Sequence, residues 1–540
     1  NKLNVSEIQV PKINSAEPKA GVGNAKSVRL DDLTQETPVG GSSSTSDAPR
    51  TLEAGGGIKT LMEVIAPKKI SAPERVITDQ AGRACLVIRE GLHPVAVPIE
   101  SQRGQAIVRQ ELIRNGGAAN RHTMRELTDN LLAHAEAQGD QEQTYHRVAP
   151  CEGGIEISLG DKQHSRIRVT SNGVELMSES SVNIFTIPTT SLELPMPAEK
   201  GSREVLQQLL NIEGVDFELL IAWITYTLSH PKVEGSKYVF LVLSGSQGSG
   251  KSFMSNLLSK LIDPSSIGIQ AMPSRQQDLA LVLQSLHVAV FDNMRNVKAT
   301  TSDLLCMAST GGTINDRKLY TDTGISTKSL HGAIIFNGIH RFLHQSDLAQ
   351  RCLNISLHSL PGLSVRSEQE LLTTFEAHHP AIFRYLLDVI ARVFSRLPEA
   401  KPISPERMID FCYWLSAYET SEQLEEGVLQ KAYSDNLNQT QLDSLLDNIV
   451  AAHIIKFCEQ EGGSKWEGTP ADLLQELGRV ADPNTRYSRE WPRNPIALGR
   501  RLPGLKAGLG RQGILMDITR GSKRQITLHI DPRVYPIRED

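Results

Sequence analysis

The chain is poor in the features that would mark a secreted, metal-bound or membrane protein. Its six cysteines (85, 151, 306, 352, 412 and 458) are scattered, and none forms a C-x-x-C pair. This excludes a zinc ribbon and a disulfide framework and fits a reducing, cytoplasmic setting. Aromatic residues make up only 5% of the chain, and neither charge sign dominates, the net charge being −5. A general attraction to polyanions is therefore excluded, and any nucleic-acid site must be local. No apolar run approaches a membrane span. The N-terminus, Asn1-Lys-Leu-Asn, carries no secretory apolar stretch and does not begin with Met. With 540 residues, the chain has room for about three or four domains and a large core.

Residues 1–57 are rich in Ser, Thr, Gly and Pro, including Gly55-Gly56-Gly57, and read as a disordered tail. Residues 58–200 read as a mixed α+β accessory domain. Strands are expected at Ala84–Ile88, Pro94–Pro98, Gly154–Leu159, Ser165–Thr170 and Gly173–Met177, with a helix at Arg121–Gln138. The stretch shows no metal-ligand spacing and no paired acids of the kind a primase site needs. Two helices, near 203–212 and 216–229, lead into the segment that carries the chemistry.

That segment runs Tyr238-Val-Phe-Leu-Val-Leu-Ser-Gly245-Ser246-Gln247-Gly248-Ser249-Gly250-Lys251-Ser252. An apolar β-rich run ends at Gly245, a G-x-x-x-x-G-K-S loop follows, and an amphipathic stretch, Phe253–Ile262, comes next. Strand, glycine loop and helix form the context of a Walker A phosphate loop. Glycines let backbone N–H groups turn toward phosphate oxygens, and the helix N-terminus adds partial positive charge. In that role Lys251 reaches the β- and γ-phosphates of ATP and Ser252 holds Mg²⁺. An ordinary Gly/Ser turn is the plain alternative.

Three downstream features extend the site. Leu286–Phe291 is a buried-type strand ending in Asp292-Asn293, which is where a Walker B carboxylate sits near Mg²⁺. A core strand ending in an Asp-Asn turn has the same pattern. Asn293 stands where many motor ATPases carry a glutamate base; an amide orients water but is a poor proton acceptor. The strand Gly332-Ala-Ile-Ile-Phe ends in Asn337, a candidate water-positioning sensor or a simple turn residue. Arg351, after Asp347-Leu-Ala-Gln, is either an arginine finger for a neighbouring subunit's ATP or an ion-pair partner of Asp347. Helices dominate 366–440, including Pro380–Leu397, and form the expected lid; Arg407 there is a possible second sensor.

The series Gly-Ser-Gln-Gly-Ser-Gly-Lys-Ser, Phe-Asp292-Asn293, Arg317-Lys-Leu-Tyr, Asn337-Gly-Ile and Asp347-Leu-Ala-Gln-Arg351 resembles the ATPases of prophages, plasmids and other mobile elements. These are similar to the helicase half of phage and plasmid primase-helicases, in the superfamily 3 branch of AAA+ proteins. The resemblance covers about 200–540. It implies an α/β P-loop AAA+ core at 201–365, a helical lid at 366–440, and ring oligomers, often hexamers, that hydrolyse ATP between subunits and move on DNA. It also implies a DNA-contacting hairpin between the Walker B and sensor strands, here 311–328, with Arg317, Lys318 and Lys328 available. Arg317 serves either the ATP site or DNA, and a solvated hairpin is the plain alternative. No recognisable primase domain lies upstream, which separates the chain from fuller family members.

Residues 441–540 read as a winged helix, as the resemblance also implies. A helix is expected at Ser444–Glu459, then one after Thr469-Pro470-Ala-Asp472, then one at Asn494–Leu502. A hairpin, Gly513–Thr519 and Arg524–Ile530, completes the order. From Arg479 to Arg524 there are 11 Lys/Arg against 3 Asp/Glu, the footprint of phosphate contact in an otherwise acidic chain. Arg500, Arg501 and Lys506 are candidates on and after the recognition helix, Lys523 and Arg524 on the wing; a protein-binding winged helix with a solvated basic face is the alternative. The expectation is a cytoplasmic ATP- and Mg²⁺-dependent ring helicase acting on single-stranded or forked DNA, away from membranes. An ATP-gated DNA-binding switch or loader is the second reading. A metabolic P-loop kinase is the third, and the basic C-terminal unit counts against it.

Overall fold

The computed structural model describes residues 73–531 apart from 211, 295–296, 318–324, 339–342, 344, 358–366, 461–464 and 521–523. The expected tail at 1–57 lies outside these residues. The chain opens with strands β1 (Pro73–Asp79), β2 (Ala84–Glu90) and β3 (His93–Pro98). Helices α1 (Gln102–Arg114) and α2 (Arg121–Gln138) follow, capped by the side chains of Ser101 and Asn120. Next come β4 (Asp140–Glu142), β5 (Thr144–Tyr145), β6 (Val148–Cys151), β7 (Gly154–Ser158), β8 (Arg166–Thr170), β9 (Gly173–Leu176) and β10 (Ile184–Thr186). One sheet has the order β4-β1-β2-β3-β10-β5, and the other is the meander β6-β7-β8-β9. Successive side chains alternate in β2 and β3. Leu86, Ile88, Val95 and Val97 therefore pack with Ile107, Val108, Leu127 and Leu131 of the helices, while Cys85, Val87 and Ala96 pack with Ile77 and Ile184.

The middle of the chain comprises α3 (Arg203–Leu210), α4 (Gly214–Ser229), β11 (Phe240–Gly245), α5 (Lys251–Ile262), α6 (Gln276–Ser285), β12 (Val288–Phe291), α7 (Ala299–Thr310), β13 (Gly312–Arg317), β14 (Ile325–Leu330), β15 (Ala333–Asn337), α8 (Ser346–Ala349) and β16 (Cys352–Leu357). Four parallel strands form a sheet of order β12-β15-β11-β16. Burial on both faces explains why these strands read as unbroken apolar runs. In register, Asn337 lies beside Leu243 and Phe336 beside Phe291, so the tips of β11, β12 and β15 end together. Among the described residues the hairpin β13–β14 forms a two-stranded sheet of its own, and it sits between β12 and β15 in sequence.

A helical layer follows: α9 (Glu368–Arg396), α10 (Ile409–Ser421) and α11 (Val428–Asp447). The sequence places a helix start at Pro380, but α9 begins twelve residues earlier, where Ser367 and Glu370 form a capping box. Pro380 is accommodated where a neighbouring segment runs along the helix. The carbonyls of Pro380 and Ala381 each accept a 3.0 Å bond, from the Ala198 and Ser202 amides. Gly201 passes so close that a Cβ there would lie 2.6 Å from Tyr385 Cα.

The boundaries expected at 200 and 365 are not breaks in the packing. A single buried core joins Ile157 and Ile167 of the β6–β9 sheet to Trp223, Leu241 and Phe336, and on to Phe383, Trp414 and Tyr433 of the helical layer. The accessory region is thus split, its second sheet belonging to the central core.

The C-terminal unit has its own core, including Val450, Leu473, Leu498, Leu502, Ile514 and Ile526. It comprises α12 (Ile449–Gln460), β17 (Trp466–Gly468), α13 (Pro470–Val480), α14 (Pro483–Arg486), α15 (Pro495–Arg511), β18 (Ile514–Arg520) and β19 (Arg524–Ile530). Sheet order is β17-β19-β18. Three expectations need correction. The helix expected at Ser444–Glu459 is broken at Asn448, whose side chain accepts from the Val450 and Ala451 amides and so caps a new helix. The helix expected to end at Leu502 runs through Pro503 to Arg511. Trp466–Gly468 is an added third strand, pairing with Ile526–Leu528 of the hairpin. Among the described residues no helix is long and apolar enough to cross a membrane.

Candidate nucleotide site

Strand β11 delivers the loop 245–250, and α5 starts directly after it. Gly248 and Gly250 have φ of 80° and 83°, a left-handed conformation that side chains disfavour. Gly250 is the N-cap of α5 and supplies no side-chain cap. The first amides of a 12-residue helix thus receive no bond from an N-cap side chain. Gly245 has no room for a side chain, since a Cβ would stand 2.6 Å from the Leu357 carbonyl oxygen. Ser246, Gln247 and Gly248 are exposed at the crest, and Ser249 is buried.

Lys251 is buried and its ammonium lies inside the curve of the loop. Nζ donates to the carbonyls of Gly245 at 2.9 Å and Ser246 at 2.6 Å, and to Ser249 Oγ at 3.3 Å. Burial pushes its pKa down, and Asp292 opposes that shift. The adjacent Ser252 is exposed, and its Oγ donates to Asp292 Oδ2 at 3.4 Å. Asp292 follows the last residue of β12, and its Oδ1 accepts from the Asn293 amide at 2.5 Å. Asn293 is exposed with φ of 56°, so the backbone turns sharply away there. Asn337, 2% exposed, completes the cluster: its Nδ2 donates to Ser255 Oγ of α5 at 3.4 Å, and its carbonyl accepts from the Met294 amide at 2.9 Å. The tips of β11, β12 and β15 therefore bring together Lys251, Ser252, Asp292 and Asn337 from three separate stretches of sequence.

This set fits a magnesium nucleotide. Glycine-loop and helix amides, together with Lys251, suit phosphate oxygens, and a serine hydroxyl beside a carboxylate suits a hard cation. Among the described residues no cluster of three or more His, Cys, Asp or Glu could form a separate metal site.

The other candidates lie apart from this cluster. Arg351 is 8% exposed and pairs with Asp347 at 3.4 Å, the alternative the sequence left open. Arg407 pairs with the same carboxylate, so the two candidate arginines converge on Asp347. Burial pushes the Asp347 pKa up, but Cys306, Arg351 and Arg407 outweigh it and hold the carboxyl below its ordinary value. In the hairpin, Arg317 pairs through its backbone with Ile325, and Lys328 stands opposite Ile314. Lys318 lies outside the described residues.

On the C-terminal unit, Arg500 and Arg501 are exposed on α15, and Arg501 donates to the Glu490 carbonyl. Lys506 is held by Asp517 of β18 at 2.8 Å. Arg524 is half-buried and folds back over α15, where a Cβ on Gly499 would meet its Nη1 at 3.0 Å. Lys523 lies outside the described residues.

Sequence reasoning missed Ser255, which no motif marks, although it lies one helical turn after Lys251. It also missed Asp263 and Arg147, a buried pair behind the site. Asp263 C-caps α5, and its two oxygens accept from Arg147 Nε at 2.8 Å and the His287 amide at 2.6 Å. A lone arginine 116 residues from its partner leaves no local signature.

Residues 204–441 match the family model described as actinomycete integrative conjugative element replication protein, and residues 450–536 match the AICE RepA C-terminal domain. The chain is thus similar to replication proteins of mobile elements. No curated protein matches. Among solved structures, the A form apo structure of the NrS-1 C-terminal region is 13% identical with a TM-score of 0.38, over 87% of this chain and 98% of that chain. The X-ray structure of JCV helicase is 14% identical with a TM-score of 0.19, over 44% of this chain and 71% of that chain.

Proposed function

We propose that the chain is an ATP-driven DNA helicase or translocase that works as a ring oligomer in the replication of a mobile element. The observation that carries the ATPase part is the convergence of Lys251, Ser252, Asp292 and Asn337 at the tips of three adjacent parallel strands. The loop amides and Lys251 bind and neutralise phosphate, Ser252 and Asp292 hold Mg²⁺, and Asn337 orients the attacking water. A bound magnesium ion draws charge off the phosphoryl oxygens. Arg351, supplied by a neighbouring subunit, is the proposed finger. Action on DNA is supported by the similarity to mobile-element replication proteins and by the basic C-terminal unit, and ring assembly and movement follow the sequence resemblance to superfamily 3 ATPases. The test is strand displacement from forked DNA, with ATP hydrolysis measured in parallel; hydrolysis stimulated by DNA together with unwinding supports the reading.

One observation favours a second reading, an ATP-gated switch or loader that does not unwind. The residue after Asp292 is Asn293, an amide rather than a carboxylate, and it turns away at positive φ. Without a proton acceptor beside the attacking water, turnover is slow. Hydrolysis and DNA binding without strand displacement select this reading.

A further inference from the structure

We propose that Tyr487 is a stacking platform for an unpaired DNA base at the edge of the C-terminal unit. This rests on the DNA-binding reading above and goes beyond it by naming the contact and the form of DNA.

Tyr487 is 88% exposed, and every other aromatic side chain among the described residues is buried or half-buried. In a chain this sparing of aromatics, leaving one ring in water forgoes its burial. The ring does not sit on a slack loop. Tyr487 follows α14, and its amide donates to the Asn484 carbonyl at 3.2 Å; Asp482 caps that turn through the Asn484 amide at 2.7 Å. On the other side, Ser488 Oγ accepts from the Glu490 amide at 3.2 Å, and Arg501 of α15 holds the Glu490 carbonyl. Trp491 is buried edge-on against His453, with ring centroids 5.3 Å apart. The connector is thus held by the capped turn of α14 before the tyrosine, and after it by Glu490 bonded to α15 and Trp491 in the core, and it presents the tyrosine outward.

The surroundings identify the ligand class. Arg486, Arg489 and Arg493 flank the tyrosine and are exposed, with Glu490 the single acid between residues 486 and 501. Arginines for phosphate and a free aromatic face for a base are the two halves of a nucleic-acid strand site. Bases inside a duplex are already stacked on one another. A lone exposed ring finds a free base face only on a single strand or at a fork.

The experiment uses the full chain with a thymidine homopolymer, its duplex with a deoxyadenosine strand, a fork, and inorganic polyphosphate as a base-free polyanion. Tyr487→Ala should weaken single-strand binding by on the order of tenfold, and Tyr487→Phe should restore it, because stacking needs the ring and not the hydroxyl. The salt dependence should not change in either variant. Arg489→Ala and Arg493→Ala should instead each reduce the log–log salt slope by about 0.7 on single strands. Polyphosphate binding should be unaffected by Tyr487→Ala. Unchanged single-strand affinity in Tyr487→Ala, failure of Tyr487→Phe to restore it, or an equal loss on polyphosphate overturns the stacking site and makes the ring a protein-docking anchor. If the unmodified chain binds none of the DNAs, the DNA-binding reading itself fails and this inference fails with it.

Discussion

Arg147 and Asp263 form an ion pair of 2.8 Å with each side chain 1% exposed, and the pair fastens the second N-terminal sheet to the rear of the candidate nucleotide site. Arg147 also donates to the carbonyls of Ser158, Leu159 and Leu192 and to Ser191 Oγ. Asp263 ends the helix that Lys251 begins, and its bond to the His287 amide holds the start of the strand that leads to Asp292. One carboxylate thus ties together the far ends of the two elements whose near ends carry Ser252 and Asp292. Burial alone would raise the Asp263 pKa, but Arg147, then His146 and His287, hold it well below the ordinary range.

Arg147→Ala should leave that buried carboxylate without its guanidinium, with only the His287 amide and His146 beside it, and destabilise the central core by about 3–5 kcal/mol. Deleting everything before residue 201 should act at least as severely, because it also removes the β6–β9 sheet from the shared core. Urea denaturation followed by tryptophan fluorescence measures both. A fragment from 201 onward with an undiminished midpoint would show that the strut is dispensable.

Acid should weaken the fold well before the carboxylates titrate. Burial first, then Lys232, pushes the His287 pKa down to about 3 and that of His331 to about 4; burial and then Lys260 push His379 to about 4. The unfolded chain binds these protons near pH 6.5 while the folded chain refuses them. Their contribution is therefore complete above about pH 6.5 and is lost as pH falls toward 4, each histidine adding a slope of up to about 1.4 kcal/mol per pH unit. Asp263, shifted down, keeps its contribution throughout this window and loses it only at lower pH. Denaturation midpoints at pH 7.5, 6 and 5 test this, and a flat profile rejects it.

Lys251→Ala should abolish ATP hydrolysis and leave the fold in place, because the ammonium serves the loop's polar rim and does not pack against apolar side chains. Circular dichroism with a phosphate-release assay checks both halves. Near-normal turnover in the folded variant rejects the phosphate-loop assignment.

Arg351→Ala should keep nucleotide binding and lose hydrolysis by on the order of a thousandfold, if the side chain acts as a finger. Mixing it with Lys251→Ala subunits should restore some activity at composite interfaces. Arg407, the more exposed partner of Asp347 (41% against 9% for the Arg351 side chain), is the rival. If Arg407→Ala proves the more damaging and Arg351→Ala merely destabilises, the assignments exchange.

What the sequence reveals depends on how local the physics is. The run Phe240–Gly245 and the strand ending at Asp292 are legible because burial on both faces leaves continuous apolar letters. Thr469 and Asp472 announce their helix because a capping box is confined to a few residues. By contrast, Pro73–Asp79 is a strand whose letters, Pro-Glu-Arg-Val-Ile-Thr-Asp, carry no clean alternation; pairing with β2 makes it one. Pro380 and Pro503 lie inside helices although proline normally ends them, and only distant or tertiary contacts override that preference. Within the site, the glycine loop is legible, whereas the bond from Asn337 to Ser255 and the strut behind it join residues far apart in sequence.

The core of the C-terminal unit, from Leu445 to Ile530, is separate from the core spanning Val148 to Leu437. Such a chain can change at two different rates. Substitutions in the hairpin 514–530 meet the unit's own core, and α15 reaches outside it to α11, where Arg511 donates to Gln441, while a change in the β6–β9 sheet is felt by the strands that carry Lys251 and Asp292. The terminal unit can therefore be exchanged like an interchangeable tool head once its seam with α11 is refitted, whereas the β6–β9 sheet, despite reading as part of an accessory, is welded to the central core.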